Sequence, residues 1–517
     1  MPRSVIGFPG LTLLLVALLI GGASACSSEK EAALIDGDAD RTAEEEADIA
    51  GDGDEELIEA EAEEDAEPAA DGDTDAEAEE DAEPEPPRAY YAAGGAMRTQ
   101  DGHALYLRGV NIAQMSKYPP NYLYPLEPAD IERLLTSGIN NVRMLISWEP
   151  LSPDAPGEID AAYLAAWAEQ VRMLTEAGLY VVVDMHQDLW GPPMGNGGPS
   201  WSCPDELEEG YVPKDPWWLN YTSEQVIACF DNFWGSEELQ GVYAEAYAAV
   251  AEAACAFDKV VGFDFMNEPY PGSGLGDLGF DNEILLPFYL KVMEAVEAAC
   301  PGRLYFFEPT IGLFSNAPFA FPEALRDRVV MAPHFYPRAV HDPNTAGYDG
   351  DRANLEETIL DAWGGYLDQG VPLWIGEFGG MTANPNFDLY MKHVSELYYD
   401  YYISSALWVY DPSDGGFSLL DSSLALKPVY EPVYRLPVPT RLPSKPADIQ
   451  ADWEAGELTF RVECELGRSL TMLLPNAGDR CTTEPAGLLP TLEGGPGFVE
   501  AACATAGTAT VACTRGR

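Results

Sequence analysis

Two glutamates follow apolar segments whose length and composition are typical of buried strands. Glu268 comes directly after Val260–Asn267, and Glu377 ends the segment Pro372–Glu377. Hydrolysis of a glycosidic bond with retention of configuration requires a protonated acid and a carboxylate nucleophile about 5–5.5 Å apart. Repulsion between two such carboxylates raises the pKa of one of them, which then serves as the acid. We therefore predict that Glu268 and Glu377 are the catalytic pair of a retaining β-glycosidase.

Further polar and aromatic residues stand at the ends of other apolar segments, where they could assist this pair. Arg143 would keep Glu377 ionised, and Tyr336 could donate a hydrogen bond to the same carboxylate. Asn267 could bond a sugar hydroxyl, and Trp408 offers a flat face to a sugar ring. Each residue alone is a weak signal, because most glutamates at strand ends are solvated or salt-bridged. Their order on successive strand ends makes the set specific. Its remaining members are the histidines His186 and His334.

Residues 89–436 alternate short apolar runs with helical segments, the pattern of βαβ units around a parallel sheet. Eight runs are predicted as strands: Leu105–Asn111, Asn141–Ser147, Leu179–Met185, Val260–Asn267, Arg303–Glu308, Val329–Tyr336, Pro372–Glu377 and Ser404–Tyr410. Helices are predicted at Ala161–Ala177, Leu239–Ala256, Leu285–Ala299, Leu355–Asp368 and Phe387–Asp400. This pattern predicts an α/β fold, a (β/α)8 TIM barrel, in which residues beyond the carboxyl ends of the strands share one cavity. The alternative, an open doubly wound sheet, would need a glycine-rich first turn that the sequence lacks.

On these residues the chain resembles glycoside hydrolase family 5, a family of retaining barrel enzymes. The resemblance is carried by Arg143, His186, Asn267-Glu268-Pro269, His334-Phe335-Tyr336, Gly376-Glu377-Phe378-Gly379 and Trp408. It implies that Glu268 is the acid/base and Glu377 the nucleophile. It also implies that the other residues shape the subsite where the bond is cleaved.

Within that family the chain looks most similar to the endoglycoceramidases, which release intact glycans from glycosphingolipids. The stretches that carry this similarity are Arg108-Gly109-Val110-Asn111, Lys117, Leu145-Ile146-Ser147-Trp148, Asp184-Met185-His186-Gln187-Asp188, Phe230-Asp231-Asn232-Phe233-Trp234, Met266-Asn267-Glu268-Pro269 and Ala332-Pro333-His334-Phe335-Tyr336-Pro337. The resemblance implies that Lys117, Asp184 or Asp188, and Trp408 lie near the sugar, with Lys117 and Asp188 taken as the site residues. It also implies that a C-terminal β-sandwich accompanies the barrel. It implies a glycolipid or oligosaccharide substrate.

Two other functions fit the same sequence. One is a family 5 β-glucanase, β-mannanase or β-glucosidase acting on soluble or polymeric glycans, which would need an open cleft. The other is a carbohydrate-binding surface lipoprotein without activity, which the presence of both glutamates disfavours.

Two features of the predicted barrel mouth have more than one interpretation. The loop from Trp190 to Tyr221 carries Trp217 and Trp218, which could line the entrance for a ceramide-like group, although aromatic stripes more often belong to a core. Glu308, at the end of the fifth strand, could bind a sugar hydroxyl or form an ion pair at the rim.

The amino-terminal part reads as an export and tethering region. Residues 1–26 combine Arg3, an apolar run and small residues before Cys26, so the chain is predicted to be lipidated on Cys26 or cleaved and secreted. Residues 27–88 hold 28 acidic against three basic residues, a net charge of −25. Such a segment cannot bury enough apolar surface to fold, so we predict a disordered linker that is either a tether or a solvating tail. The expected location is a bacterial outer membrane, a cell surface or the medium.

Residues 437–517 are predicted to form a small β-sandwich after a proline-rich linker from Pro437 to Pro446. Without Cys26, eight cysteines remain, four in the middle of the chain and four in this last part, which suits disulfides in an exported protein. Cys503 and Cys513 are predicted to staple the β-domain, with their partners left open. The β-domain could bind a ligand or simply pack on the barrel, and packing is the simpler expectation.

Charge and composition exclude several classes of partner. The formal net charge of −59 would repel nucleic acid, and subtracting the acidic linker still leaves −34 on the rest. The mechanism needs no metal and no organic cofactor, and no cysteine pair has zinc-site spacing. We expect a monomer.

Overall fold

The computed structural model describes residues 88–204, 210–311 and 318–516 of the chain. The predicted export signal (1–26) and all but the last residue of the predicted linker (27–88) lie outside the described residues. In the part of the chain that is described, no helix is both long enough and apolar enough to span a membrane.

A closed ring of parallel strands forms the centre of the described chain. The strands up to residue 407 are β1 (Tyr90–Ala93), β2 (Ala96–Thr99), β3 (Ala104–Leu105), β4 (Arg108–Ile112), β5 (Asn141–Ile146), β6 (Tyr180–Met185), β7 (Val260–Asp264), β8 (Leu304–Phe307), β9 (Val329–Met331), β10 (His334–Phe335), β11 (Trp374–Phe378) and β12 (Ser404–Leu407). Strands β4 to β12 pair in parallel, in the order β10-β11-β12-β4-β5-β6-β7-β8-β9. Because β9 and β10 are two pieces of one barrel strand, and Met331 bridges to Leu373 just before β11, the ring closes. The predicted TIM barrel is confirmed.

Helices occupy the crossovers between these strands. They are α1 (Pro128–Thr136), α2 (Trp148–Leu151), α3 (Ala161–Glu176), α4 (Glu224–Gly235), α5 (Glu237–Ala254), α6 (Leu286–Ala299), α7 (Arg338–His341), α8 (Arg352–Asp368), α9 (Phe387–Tyr401) and, after the last barrel strand, α10 (Glu431–Tyr434). The start of α3 illustrates the local cause: the Asp160 side chain accepts from the backbone N–H groups of Ala162 and Tyr163 and so caps the helix. All five helices predicted from the sequence are confirmed, with ends that differ by a few residues.

Two predicted strands are divided in the structure. The run Leu105–Asn111 contributes Leu105 to β3 and Arg108–Asn111 to β4, so its two ends belong to different sheets. The run Val329–Tyr336 is interrupted around Pro333. Proline has no amide hydrogen to donate to a neighbouring strand, which accounts for the break between β9 and β10.

The hairpin that begins the described chain closes the amino-terminal end of the barrel. Tyr90 and Met97 belong to a buried cluster with side chains inside the barrel, among them Val182, Phe306 and Trp374. Leu304 and Trp374 are the first residues of their strands, so this cluster lies at the end where the strands begin. The opposite end, where the strands finish, is therefore the one available for a site.

The C-terminal region consists of two antiparallel sheets. Its strands are β13 (Val438–Leu442), β14 (Ala447–Asp452), β15 (Glu457–Cys464), β16 (Ser469–Leu474), β17 (Asp479–Glu484), β18 (Leu492–Gly494), β19 (Gly497–Ala502) and β20 (Gly507–Thr514). One sheet has the order β14-β15-β20-β17-β18, and the other has the order β1-β2-β3-β13-β16-β19. These sheets fit the predicted β-sandwich, but two details differ from expectation. The proline-rich stretch predicted as a linker contains β13, and the amino-terminal strands complete one sheet.

The β-domain packs on the outside of the barrel. The Trp453 ring stacks on Tyr399 of α9 with centroids 6.3 Å apart, and its Nε1 donates to Glu396 Oε1 at 2.8 Å. Within β15, Leu458, Phe460 and the alternate residues after them are buried while their neighbours face outward, as expected for a sheet covered on one side. The packing interpretation of this domain is the one these contacts support.

All eight cysteines in the described residues form disulfides. The pairs are Cys203–Cys229, Cys255–Cys300, Cys464–Cys503 and Cys481–Cys513. The predicted division of four and four is confirmed, because no bridge crosses between barrel and β-domain. Cys503 and Cys513 do staple the β-domain, each with a separate partner.

Candidate active site

The guanidinium of Arg143 is the centre of the open end of the barrel. Arg143 lies on β5 and is completely buried. Its nitrogens reach six side chains at 2.8–3.1 Å, namely Asn111, Asp184, Asp264, Asn267, Glu308 and Glu377. A buried cation is tolerated only when it is paired and fully hydrogen-bonded, and the acidic partners meet that requirement.

Glu377, the fourth residue of β11, is held by two donors. Arg143 Nη1 donates to its Oε1 at 2.9 Å, and the Tyr336 hydroxyl donates to its Oε2 at 2.8 Å. Burial and the neighbouring Glu377 raise the pKa of Tyr336 well above its ordinary value, so the phenol keeps its proton. Hydrogen bonds of this kind favour the charged form of a carboxyl group. The arrangement suits a carboxylate nucleophile.

Glu268 has the opposite surroundings. Its side chain is partly buried, with 19% exposed, and this partial burial raises its pKa; the neighbouring Glu377 adds to the effect, while His334 opposes it. His334 Nδ1 lies 2.9 Å from Glu268 Oε1. A raised pKa favours the protonated form of a carboxyl group, which is the form that a general acid needs.

The two carboxyl groups are close enough to act on one bond. One oxygen of Glu268, one oxygen of Glu377 and a ring nitrogen of His334 all lie within 4.8 Å of one another. Retaining glycosidases place their two carboxyl groups about 5–5.5 Å apart, whereas inverting enzymes need about 6.5–9.5 Å for an intervening water. The geometry therefore fits double displacement.

The backbone at Glu268 is unusual. Its φ is +42°, in the left-handed region that residues other than glycine seldom adopt. The side chain of Gln187 donates to the carbonyl oxygens of Asn267 and Glu268 at 2.8 and 3.1 Å, and the Glu268 amide donates to Glu308. Residues in such conformations cluster at active sites, where surrounding contacts hold them.

A second group of predicted residues forms a wall beside this pair. Lys117 Nζ donates to Asp188 Oδ2 at 2.8 Å and lies 4.3 Å from the centre of the Trp408 ring. The His186 ring is parallel to Trp408, with centroids 5.9 Å apart, and its Nδ1 lies 2.8 Å from Asp184 Oδ2. Although burial alone would raise it, the pKa of the Asp188 carboxyl is held well below its usual range by Lys117 and His186. This wall presents an ion pair and an aromatic ring together.

The structure places all ten predicted site residues in one contiguous network. Two groups of residues make up this network. The first consists of Glu268, Glu377, Lys117, Asp188, Tyr336 and Trp408. The second, which contacts the first as described above, consists of Arg143, His186, Asn267 and His334. Asn267 is a case in point: its oxygen accepts from Arg143 at 3.1 Å and its nitrogen donates to the Gln187 carbonyl at 3.0 Å. Its amide is thus engaged within the protein, and the predicted bond to a sugar hydroxyl stays a prediction.

Sequence reasoning missed three members of this network. Asn111 donates to the Gly376 carbonyl at 3.0 Å and accepts from Arg143, while Gln187 holds the backbone of Glu268. Asp264 is fully buried on β7 and accepts from Arg143 Nε at 2.9 Å. An aspartate inside the apolar run before Glu268 was a signal for it, since a buried acid needs a buried partner.

Burial and adjacent carboxylates shift the pKa values of two residues near Arg143, Asp264 and His334. Burial and the neighbouring Glu308 raise the pKa of Asp264 well above its ordinary value, despite Arg143. Burial would lower the pKa of His334, but Glu308 and Glu377 outweigh it and raise that pKa well above the ordinary value. Both shifts favour the protonated forms of His334 and Asp264.

Two clusters have residue types that could bind a metal ion. Glu268, His334 and Glu377 form one, and Asp184, Asp264 and Glu308 form the other. The Arg143 guanidinium already contacts each carboxylate of the second cluster, which disfavours a second cation there. In the first cluster the His334 Nδ1 atom lies 2.9 Å from Glu268 Oε1 and 3.7 Å from Glu377 Oε2, so each carboxyl group has a partner within the protein.

Helix α4 contacts both the loop after β6 and the loop after β7. Asn232 Nδ2 donates to the Ser202 carbonyl at 2.9 Å, and Trp234 Nε1 donates to the Tyr270 carbonyl at 2.9 Å. The disulfide Cys203–Cys229 adds a covalent link from the same helix to the first loop. Trp217 and Trp218 lie in a short 3-10 helix of that loop and are half-buried.

Comparison with known proteins agrees with this geometry. The family model described as Cellulase (glycosyl hydrolase family 5) matches residues 99–414. Endoglycoceramidase I of Rhodococcus hoagii is 32% identical over 253 residues, which are 46% of this chain and 50% of that protein. Glucosylceramidase of Rhizopus delemar is 27% identical over 232 residues, 33% of this chain and 34% of that protein. The chain thus spans half the length or less of these curated relatives.

A solved structure covers more of the fold. Endo-glycoceramidase II from Rhodococcus sp. superposes with a TM-score of 0.69 at 26% identity, covering 81% of this chain and 99% of that one. The same protein in a ganglioside GM3 complex gives a TM-score of 0.68 at 25% identity, with the same coverage. The similarity includes both barrel and added sheets, because nearly all of that chain is matched.

Proposed function

The chain belongs to glycoside hydrolase family 5, and we propose that it is a retaining endo-β-glycosidase that releases an intact glycan from a lipid. The observation that carries the proposal is the opposite environment of two adjacent carboxyl groups. Glu268 is partly buried with a raised pKa, while Glu377, within 4.8 Å of it, accepts from Arg143 and Tyr336. One group is set up to give a proton and the other to attack.

In the proposed first step, Glu268 donates its proton to the glycosidic oxygen while a Glu377 oxygen attacks the anomeric carbon. The bond between that carbon and the glycosidic oxygen breaks, and the aglycone leaves as an alcohol. The glycan is then held as an ester of Glu377. Loss of the negative charge on Glu377 is matched by a new one on Glu268, so the net charge of the pair is conserved.

In the proposed second step, the Glu268 carboxylate takes a proton from water as the water oxygen attacks the anomeric carbon. The ester bond breaks, Glu377 returns as a carboxylate and Glu268 is again protonated. Two displacements at one carbon restore its original configuration. Arg143 and Tyr336 stabilise the charge that returns to Glu377 at the end of the cycle.

A lipid-linked glycan is the substrate class that we favour. The proteins to which the chain is similar carry the names endoglycoceramidase and glucosylceramidase, and one solved relative is described with a ganglioside. In this chain the Lys117–Asp188 ion pair beside Trp408 offers polar contacts and a ring face to a sugar. Trp217 and Trp218 are the side chains that we propose at the entrance for the apolar aglycone.

The deciding experiment compares four substrates. Purified full-length protein is given ganglioside, lactosylceramide, glucosylceramide and soluble β-glucan, and the products are identified by mass. Release of an intact oligosaccharide together with ceramide supports the proposal. Cleavage of glucosylceramide alone would instead indicate a glucosylceramidase, and depolymerised glucan would indicate a β-glucanase.

Catalysis itself is tested at Glu377. The Glu377→Gln variant should lose turnover completely, and a mechanism-based 2-fluoro sugar should label Glu377 in the wild type. Glu297→Gln, at an ion-paired glutamate on α6, is the matched control and should stay active. If the wild type hydrolyses no substrate, and if wild type and Glu377→Gln bind glycolipid equally tightly, the carbohydrate-binding alternative is favoured.

The entrance is tested by replacing both tryptophans with alanine. Trp217→Ala with Trp218→Ala should lower hydrolysis of glycolipid and spare hydrolysis of a soluble aryl glycoside. Trp363→Ala, a half-buried tryptophan on α8, is the control. If the two substrates are affected equally, these tryptophans do not recognise the aglycone.

We also propose that the protein is exported and held at a bacterial surface through Cys26, with residues 27–88 as the tether. The supporting features are the export-like start and the net charge of −25 on the acidic segment. Membrane fractionation of cells expressing wild type and Cys26→Ala tests the anchor, with Ser27→Ala as control. Release of only the Cys26→Ala protein into the soluble fraction supports lipidation, and release of all three supports secretion.

A further inference from the structure

Glu308 is a buried carboxylate that no step of the proposed mechanism uses. It follows β8 directly, and its side chain is only 2% exposed. Its Oε2 accepts from the backbone N–H of Glu268 at 2.8 Å. Its Oε1 accepts from Arg143 Nη2 at 2.8 Å and lies 3.3 Å from His334 Nε2. One side chain therefore touches the backbone of the acid/base, the ring beside its carboxyl group and the guanidinium beside the nucleophile.

Two of these three contacts bear on Glu268. The first fixes its amide, which matters because Glu268 has a φ of +42° that a residue with a side chain does not hold unaided. The second orients the His334 ring, whose other nitrogen lies 2.9 Å from the Glu268 carboxyl group. Backbone and side chain of Glu268 are thus both linked to Glu308.

Glu377 depends on Glu308 much less. It keeps its own bonds from Arg143 Nη1 and the Tyr336 hydroxyl. Arg143 in turn keeps five other partners, including Asn111 at 3.1 Å and Asp264 at 2.9 Å. Removing Glu308 would leave most of the support of the nucleophile in place.

We propose that Glu308 is the positioning residue of the acid/base, and that it sets the orientation of Glu268 with little influence on the nucleophile Glu377. This inference rests on the proposed function and assigns a residue to its proton-transfer step. The ion pair that the sequence suggested for Glu308 is present, with Arg143 at 2.8 Å, but the carboxylate is enclosed and lies neither at the rim nor open to a sugar.

A carboxylate suits these three contacts. Its two oxygens accept from the Glu268 amide and from Arg143, and the His334 Nε2 atom lies at ion-pair distance, 3.3 Å from Oε1. A glutamine in this place would turn an NH2 group toward one of those donors and leave a buried donor without an acceptor. The Glu308→Gln variant therefore disturbs these contacts while preserving shape.

The test uses the different need of leaving groups for a proton. Two aryl β-lactosides are compared: a 2,4-dinitrophenyl lactoside, whose leaving group departs without protonation, and a phenyl lactoside, whose leaving group needs the acid. General-acid assistance contributes about 100- to 10,000-fold. In the full-length Glu308→Gln protein we expect kcat/KM on the phenyl lactoside to fall about 100-fold or more. On the dinitrophenyl lactoside we expect a fall of less than about 10-fold, because that step does not use the acid.

Two control variants accompany this measurement. Glu297→Gln makes the same substitution at another glutamate that ion-pairs with an arginine, Arg328 at 2.6 Å, and should change neither substrate. Glu308→Asp keeps the charge but shortens the side chain by one methylene, so it should show the same preference between substrates with a smaller loss. Near-ultraviolet circular dichroism checks that each variant is folded.

The outcomes separate the two proposals. A wild type that hydrolyses neither aryl lactosides nor glycolipids refutes the proposed function. An active wild type with equal losses on both lactosides in Glu308→Gln, or no loss on either, overturns the role of Glu308 alone. Loss of folded structure in both Glu308 variants also overturns it, because the carboxylate would then be needed for stability and not selectively for the acid.

Discussion

Replacing Arg143 by lysine tests the central network most directly. Arginine offers five N–H donors in a planar fork, and here they reach six side chains. A lysine keeps the charge but has three donors at one point. At least two charge-assisted hydrogen bonds are lost, each contributing about 1.5–3 kcal/mol. We therefore expect Arg143→Lys to lower the free energy of unfolding by roughly 3–6 kcal/mol, a large part of the total of about 5–15 kcal/mol typical of a domain.

The same variant should also lose activity. The bond from Arg143 Nη1 to Glu377 Oε1 is 2.9 Å long. Loss of one hydrogen bond to a charged group corresponds to about a 10- to 150-fold fall in kcat/KM if the bond supports the transition state fully. Guanidinium chloride unfolding at pH 7 and kcat/KM on an aryl β-lactoside measure the two effects.

The control for this prediction is an arginine at the surface. Arg172 on α3 pairs only with Glu169 and Glu176 of its own helix. Exposed ion pairs contribute little, so Arg172→Lys should leave the unfolding midpoint and the activity unchanged. If Arg143→Lys matches Arg172→Lys in both measurements, the buried network does not have the importance inferred from its geometry.

Three further predictions concern protonation and hydrogen bonding. Because partial burial raises the pKa of Glu268 and catalysis needs its protonated form, kcat/KM on a phenyl lactoside should fall as pH rises through that raised pKa. Tyr336→Phe removes the 2.8 Å bond to Glu377 and should lower kcat/KM about 10-fold or more while the folded state stays intact. Asp264 has a strongly raised pKa, so Asp264→Asn mimics its neutral form and should retain stability near pH 7, measured by denaturant unfolding. In the unfolded chain Asp264 loses its proton at about pH 4, whereas the folded protein keeps that proton up to the raised pKa. The free energy of unfolding of the wild type should therefore fall, relative to that of Asp264→Asn, as pH rises from about 4 through the raised pKa.

Each of these predictions has a specific contradicting result. An alkaline limb of equal size for phenyl and dinitrophenyl lactosides would not arise from Glu268, since only the first leaving group needs its proton. Equal activity of Tyr336→Phe and Tyr305→Phe, a tyrosine distant from the site, would remove the role of the Tyr336 hydroxyl. A pH-independent difference in stability between Asp264→Asn and wild type would mean that Asp264 is ionised.

The local pattern of the sequence was sufficient for the barrel and for the two glutamates. Short apolar runs that end on polar residues specify parallel strands whose carboxyl ends share a cavity. Glu268 and Glu377 each follow such a run, so their convergence could be predicted without coordinates. The Arg143 bond to Glu377 could be predicted for the same reason, and it is present at 2.9 Å.

Contacts between segments distant in the chain could not be predicted from the local pattern of the sequence. Strand β3 pairs with β13 more than 300 residues later, and no pattern in either segment predicts this pairing. The proline-rich stretch that contains β13 was predicted as a linker because of its proline content. Amino-acid composition does not show whether a segment pairs with a distant strand. Disulfide partners were open for a related reason, since four cysteines in one domain allow three connectivities.

The sequence by itself determined that the predicted site residues meet at the mouth of the barrel, because each apolar run marks a strand and the polar residue after it marks the end of that strand. Only the tertiary structure decided which side chains each of them contacts and how those contacts shift its pKa. Burial raises the pKa of Glu268 and of Asp264, and the carboxylates of Glu308 and Glu377 raise the pKa of His334 against the effect of its own burial. Each of these shifts depends on the whole packed molecule. The same is true of Glu308, which lies 40 positions after Glu268 in the chain and accepts its backbone N–H in the fold.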